Sequence, residues 1–407
     1  SIPGSGSRAT RSPDMAKPWR PLRSRASARS FRYAKKRVTK PAIDLLVVGA
    51  RQVVTCAGHA RPARGEAQGR AGVLENAAVA VGGDTLLAVG PEDELRRAFS
   101  TEQTRVVDAQ GGVVLPGFVD AHTHMVFAND RADEWEQRMQ GVPYLDLLRA
   151  GGGILRTVRD TRQASFAELL AGATRWAQRM LSLGTTTVEI KSGYGLTRDD
   201  EIKLLEVARA LGVSSGLSVV STFLGAHVVP PEFAHDRAGY LSLVEETAEE
   251  VARRKLADFV DVFCENEAFT LTETERVLRH GQKLGLGLKL HAEQFSGSGA
   301  TALAVRLGAT SVDHLEHVSS EDLARLGAHD TPPIAVLLPG VAFHLGMHTY
   351  APARRLIDAG APVALATDFN PGSSFTPSVP MVIALACRFM GMSVAEALVA
   401  STINAAH

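Results

Sequence analysis

Cysteine is scarce: the 407 residues contain three, Cys56, Cys264 and Cys387, and none sits in a Cys-x-x-Cys pair. That excludes a disulfide framework and a thiolate zinc site, and it fits a reducing, cytoplasmic compartment. Long apolar runs are missing as well. No stretch approaches the roughly 20 residues a membrane span needs, and no charged-then-apolar secretory signal is present. No membrane partner is expected. Net charge is zero, with 44 Lys/Arg against 44 Asp/Glu. The balance hides an asymmetry, since residues 1–40 hold twelve basic residues and one acid, Asp14. The remainder is mildly acidic and has no basic stripe, which argues against nucleic-acid binding by the folded part. A small-molecule partner is expected.

Residues 1–41 also lack apolar periodicity, so the segment reads as a disordered basic tail. A transit-type leader, an interaction arm and sequence upstream of a start at Met15 all remain open. From Ala42 to residue 115, short β-rich runs such as "DLLVVGARQVV", "AAVAVGGDTLLAVG" and "TRVVDAQGGVVLPG" alternate with Gly-containing turns. This predicts a small β-rich satellite domain.

From residue 116 the pattern becomes strand, loop, helix, repeated. Eight apolar runs follow: "VVLPGFVDAHTH", "TTTVEIKSG", "LSVVSTFLGAH", "DFVDVFCEN", "LGLKLHAEQ", "TSVDHLEH", "PIAVLLPG" and "APVALATDFN". Segments with 3.6-residue apolar spacing lie between them, among them "SFAELLAGATRWAQRMLSLG" and "YLSLVEETAEEVARRK". Eight buried parallel strands alternating with helices predict an α/β fold, a (β/α)8 TIM-type barrel over residues 116–407.

Rare polar residues end these runs, where a barrel has its mouth. His122 and His124 are two apart, so on a strand they face the same side and can share an ion. His291 ends the fifth run and Asp368 the eighth, and barrel closure would bring both toward that pair. An H-x-H pair alone is compatible with packing, and a strand-end Asp with a helix cap; their joint placement points to a site. Three imidazoles and a carboxylate suit one zinc or iron ion, with an open position for a water made acidic by the metal.

"PGFVDAHTH", "LHAEQ", "DHLEH" and "ATDFNPGS", in this order and at barrel spacing, resemble the amidohydrolase superfamily over roughly residues 42–407. "FANDRADEW", "GGGI", "EIKSGYGL", "FLGAHVVPPE" and "FNPGSS" resemble its branch that opens the ring of 4-imidazolone-5-propanoate in histidine degradation. The resemblance implies metal ligands His122, His124, His291 and Asp368 and hydrolysis of the ring C–N bond to N-formimidoyl-L-glutamate. It implies that Arg131 grips the substrate's carboxylate tail, a task its planar fork suits; the alternative for Arg131 is a salt bridge with Asp133 or Glu134. Tyr144 and Tyr194 resemble pocket tyrosines. His227 could polarise the carbonyl or bond the ring, and Asn370, Gly372 and Ser373 could contact it from the eighth loop.

His314 and Asp368 could move protons between water and the leaving nitrogen, with His317 a structural neighbour. Related deaminases carry a carboxylate three residues after the strand-five histidine, where this chain has Gln294. Gln294 is therefore expected to hydrogen-bond substrate, and Glu293, pointing to the opposite strand face, is a weaker catalytic candidate. Lys191 is on the second strand, not the fourth, and the fourth ends "FCENE"; a bridging lysine is therefore absent and one ion is expected. "AGGGI" reads as an active-site loop.

Other readings are a cyclic-amidine or nucleobase deaminase, which would release ammonia, and a catalytically silent barrel used as a scaffold. Members of the superfamily commonly dimerise and usually continue past "INAAH" into strands that return to the small domain. A C-terminally truncated, less stable barrel is expected on that ground.

Overall fold

The computed structural model describes residues 43–59, 62–99, 103–142, 146 and 151–407. The expectations for the basic tail and for Tyr144 lie outside these residues.

The first part is β-rich, as the alternating runs predict, and it forms two sheets. Strands β1 (Leu45–Val48), β2 (Gln52–Val54), β3 (Val73–Glu75), β4 (Ala77–Gly82), β5 (Thr85–Pro91), β6 (Arg105–Asp108) and β7 (Val113–Val114) follow in order. One sheet has the order β5-β4-β1-β6 and the other β3-β2-β7. Gly49 takes φ +66 after β1, a conformation glycine adopts without a Cβ penalty. The chain thereby turns out of the first sheet and into the second.

Strands β8 (Phe118–Asp120), β9 (Thr185–Lys191), β10 (Ser218–Ala226), β11 (Phe259–Cys264), β12 (Gly287–Ala292), β13 (Ser311–His314), β14 (Ile334–Leu337) and β15 (Val363–Leu365) correspond one for one to the eight apolar runs. They pair in parallel, each with the next, from β8 to β15. A parallel bridge between Thr123 and Phe369 links the segments just beyond β8 and β15. The (β/α)8 barrel closes there.

Helices surround the strands, and their starts follow from sequence. Ser165 and Glu168, Thr270 and Glu273, and Ser393 and Glu396 form reciprocal capping boxes before helices Phe166–Ser182, Leu271–Lys283 and Val394–Ala400. Each satisfies two backbone donors that the first turn would otherwise leave open. The apolar faces of helices and strands merge into one large core containing Val188, Ile190, Val260, Val262, Leu288 and Leu290. That core fixes the strand ends on which the polar residues stand. No helix among the described residues is long and apolar enough to cross a membrane.

Candidate metal centre

His122 and His124 lie just past the end of β8, in backbone that neighbouring strands still hold. The Asp368 N–H donates to His122 O at 3.0 Å, the His124 N–H to Phe369 O at 2.9 Å, and the Lys191 N–H to Thr123 O at 2.9 Å. Both rings therefore stay on one side. Asp368 takes φ +49 and His314 φ +82, unusual values for non-glycine residues that concentrate where a site over-determines the backbone.

Side-chain atoms converge at this point. His122 Nε2 and His124 Nε2 are each 3.4 Å from Asp368 Oδ1, and His291 Nε2 is 3.3 Å from His124 Nε2. Within the described residues, two overlapping triads have ligand atoms within 4.8 Å of one another: His122, His124 and Asp368, and His122, His291 and His314. His122 Nε2 and Asp368 Oδ1 are buried with no hydrogen-bond partner. Buried polar atoms left this way are costly unless something else binds them. Ligands held about 2.1 Å from one ion sit about 3.0–3.4 Å apart when adjacent, which the observed edges match.

The electrostatics suit a cation. Burial, then the charge of Lys191, pushes the His122 imidazole well below its ordinary pKa; burial and the neighbouring His227 do the same to His124. Neutral rings present lone pairs. Burial lifts the Asp368 carboxyl to about 7.

Beneath the rings lies a buried ionic cluster. His122 Nδ1 is 2.6 Å from Asp313 Oδ2. His291 Nδ1 is 3.0 Å from Asp261 Oδ2, and the His291 N–H donates to Asp261 Oδ1 at 3.2 Å. Lys191 Nζ lies 2.8 Å from Asp261, 2.9 Å from Glu189 and 3.8 Å from Asp313. Burial alone would discharge this lysine, but those three carboxylates outweigh it and hold its ammonium above the usual range. Sequence reading weighed Lys191 only as a bridging ligand and missed the carboxylates. A signal existed: Glu189, Asp261 and Asp313 are charged residues inside otherwise apolar strands.

The other expected residues fall in distinct places. Tyr194 is buried, with its ring 5.7 Å from His124 and 5.6 Å from His227. The His227 ring stacks on His124 at 5.1 Å, and its Nδ1 is 2.9 Å from Gly193 O. Burial takes its pKa down to about 3. Arg131 Nε pairs with Glu134 at 3.0 Å, so the alternative reading of this residue is realised in part. Its Nη1 and Nη2 nevertheless lie against Gly372, 2.3 and 2.9 Å from where a Cβ would stand. A side chain at position 372 would push that guanidinium aside.

Asn370 is engaged within its own loop. Its Nδ2 donates to Asp368 O and Ser373 Oγ, and its Oδ1 accepts from the Gly372 and Ser373 N–H groups. Both donors and both lone pairs of the amide are occupied, so the side chain shapes the loop. Glu293 is engaged in a similar way. It follows the end of β12 with φ +58, which breaks strand alternation, and its Oε2 accepts from Thr301 Oγ1 at 2.6 Å. Its carboxylate braces the start of helix Ala300–Leu307. Gln294 is buried and its side chain makes no hydrogen bond to a described residue. The His314 ring is 5.3 Å from His291 and 5.7 Å from His122. His317 is exposed. Gly153 of "AGGGI" precedes helix Ile154–Gln163 and donates to Glu134 at 3.2 Å.

Two further residues had been missed. Glu201 Oε1 accepts from the N–H groups of Gly193, Gly195 and Leu196 at 3.1, 2.8 and 2.8 Å, folding the loop that carries Tyr194. Its place in the first turn of helix Arg198–Ser214 was the available signal. His344, in helix Pro339–Leu345, stands near Arg131 and Gly372; nothing in its sequence context marks it.

Comparison with known proteins settles the family. The amidohydrolase family matches residues 113–407. The imidazolonepropionase of Geobacillus kaustophilus (strain HTA426) is 49% identical over 367 residues, covering 89% of this chain and 86% of that protein. The imidazolonepropionase of Chloroflexus aggregans is 46% identical over 374 residues, 89% of this chain and 87% of that one. The chain belongs to the amidohydrolase family, in its imidazolonepropionase branch. Among solved structures, 5-methylcytosine deaminase from Klebsiella pneumoniae aligns with a TM-score of 0.63 at 14% identity, covering 89% of this chain and 85% of that one. A. niger ochratoxinase aligns at 0.60 and 19%, covering 89% and 84%. These likenesses concern the fold. This amidohydrolase is a hydrolase, and its family and His/Asp cluster together point to a metal ion.

Proposed function

We propose that the chain hydrolyses the ring amide of 4-imidazolone-5-propanoate to N-formimidoyl-L-glutamate, using one zinc or iron ion held by His122, His124, His291 and Asp368. The orphaned, buried His122 Nε2 and Asp368 Oδ1, at 3.4 Å from each other, carry this reading. An ion bound there supplies a Lewis acid and lowers the pKa of a water toward neutrality.

The protein's own groups do the rest. Arg131 is held by Glu134 through Nε, which leaves its two Nη groups to grip the propanoate carboxylate in a bidentate pair beside Gly372. His227 donates from Nδ1 to Gly193 O, and in its neutral form Nε2 is then an acceptor. It takes a hydrogen bond from a ring N–H and does not polarise the carbonyl. Tyr194 offers a ring face and a hydroxyl, Gln294 a neutral amide, and Ser373 a hydroxyl positioned by Asn370. Water adds to the ring carbonyl carbon, the C–N bond breaks, and the proton that water loses reaches the leaving nitrogen. Asp368 and His314 are the groups we assign to carry it; the neutral amide of Gln294 cannot.

The three free cysteines fit a reducing cytoplasm. The test is loss of the imidazolone ultraviolet absorbance with formation of the formimidoyl product. Ammonia release without ring opening would favour a deaminase, and a chain that binds no metal would favour a scaffold.

A further inference from the structure

The bottom of the site contains more charge than ligand geometry requires. Glu189, Asp261 and Asp313 are each less than 5% exposed, and Lys191 is 1% exposed. Buried carboxylates this close repel one another and are unfavourable without a counter-charge. Lys191 Nζ contacts all three. Two of the three, Asp313 and Asp261, stand behind the Nδ1 atoms of His122 and His291.

We infer that Lys191 is a positioning residue for the metal centre: its ammonium holds the side chains of Asp313 and Asp261 behind the Nδ1 atoms of His122 and His291, 2.6 and 3.0 Å away, so that each ring keeps its hydrogen on Nδ1 and turns a bare Nε2 toward the site. A carboxylate behind Nδ1 fixes which ring nitrogen carries hydrogen and how the ring is turned. Here one cation serves two such carboxylates. Lys191 and Glu189 come from β9, Asp261 from β11 and Asp313 from β13, so the ammonium also ties three strands together at the depth where the rings are anchored. Lys289 adds positive charge near Asp313 but does not bridge the two carboxylates: its Nζ donates to Ala121 O at 2.9 Å, and its ion pair among the described residues is with Glu189, at 3.8 Å. The inference rests on the metal reading above.

The test measures zinc affinity by chelator competition and the visible spectrum of the cobalt(II)-loaded protein, for the parent chain and for Lys191→Met, with circular dichroism to confirm folding. Lys191→Met is expected to bind zinc about 10- to 100-fold more weakly and to shift the cobalt bands, because the rings lose their fixed orientation. Parent-like affinity and spectrum in folded Lys191→Met overturn the inference while leaving the metal reading intact. A parent chain that binds neither ion overturns both. Where Lys191→Met does not fold, Lys191→Gln is measured the same way, with the same two outcomes. Nitrogen-15 spectra of the metal-free parent give an independent reading: hydrogen on Nδ1 of both His122 and His291 supports the inference, and a bare Nδ1 on either overturns it.

Discussion

His227 stacks on His124 at a centroid distance of 5.1 Å and an interplanar angle of 18°, while Gly193 O fixes its Nδ1. One ring is a proposed ligand and the other is held beside it without being one. His227→Ala is therefore expected to lower kcat/KM by about 100-fold or more, the scale of losing a positioned polar group from a closed site, with metal content unchanged. Rate assays beside elemental analysis check this; loss of the metal itself would reassign His227 to the ligand set.

Arg131 is expected to act on substrate binding. Arg131→Met should raise KM by about 10- to 100-fold, the worth of charged hydrogen bonds to a carboxylate. The parent's preference for the propanoate substrate over an imidazolone lacking the carboxylate should disappear in the variant. A preserved preference would return Arg131 to a purely structural partner of Glu134.

Glu293 and Gln294 are neighbours with opposite expectations. Glu293→Gln removes an acceptor for Thr301 and should cost about 1 kcal/mol of stability while leaving kcat little changed. Gln294→Ala should reduce turnover without altering the melting temperature. Thermal melts and steady-state rates on both variants decide the assignment.

His344 supplies a pH signature. Burial, together with Arg138 and Arg131, holds its pKa at about 4 against an ordinary 6.5, despite an opposing hydrogen bond with the Gly372 backbone. Between those values the unfolded chain binds the proton and the folded chain does not. Stability from this group is thus complete above pH 6.5 and is lost as pH falls toward 4. Urea unfolding should show the parent losing about 2 kcal/mol more than His344→Gln between pH 7 and 4.5; parallel curves would remove His344 from the acid limb.

The barrel was legible because each buried parallel strand is a short apolar run that stops at a polar residue, and the proposed ligands His122, His291 and Asp368 are such stops. What stayed hidden depends on backbone turns and distant partners. The positive φ of Glu293 defeats the two-residue alternation used to place its side chain. The saturation of Asn370 arises within a loop whose shape no periodicity encodes. The union of Lys191 with Asp261 and Asp313 joins three strands and could be read only as isolated charges in apolar runs. The chain changes between the small sheets at positive-φ residues, Gly49, Asn76 and Gln110, which no strand periodicity encodes.

The central claim is that four side chains gather a single cation which makes ring opening possible. The direct measurement is the rate of imidazolone absorbance loss for protein stripped by a chelator and titrated back with zinc or ferrous ion. The expected result is negligible rate in stripped protein, rising in proportion to bound metal and levelling at one ion per chain. Full activity in the stripped protein, or a rate that ignores occupancy, would contradict it.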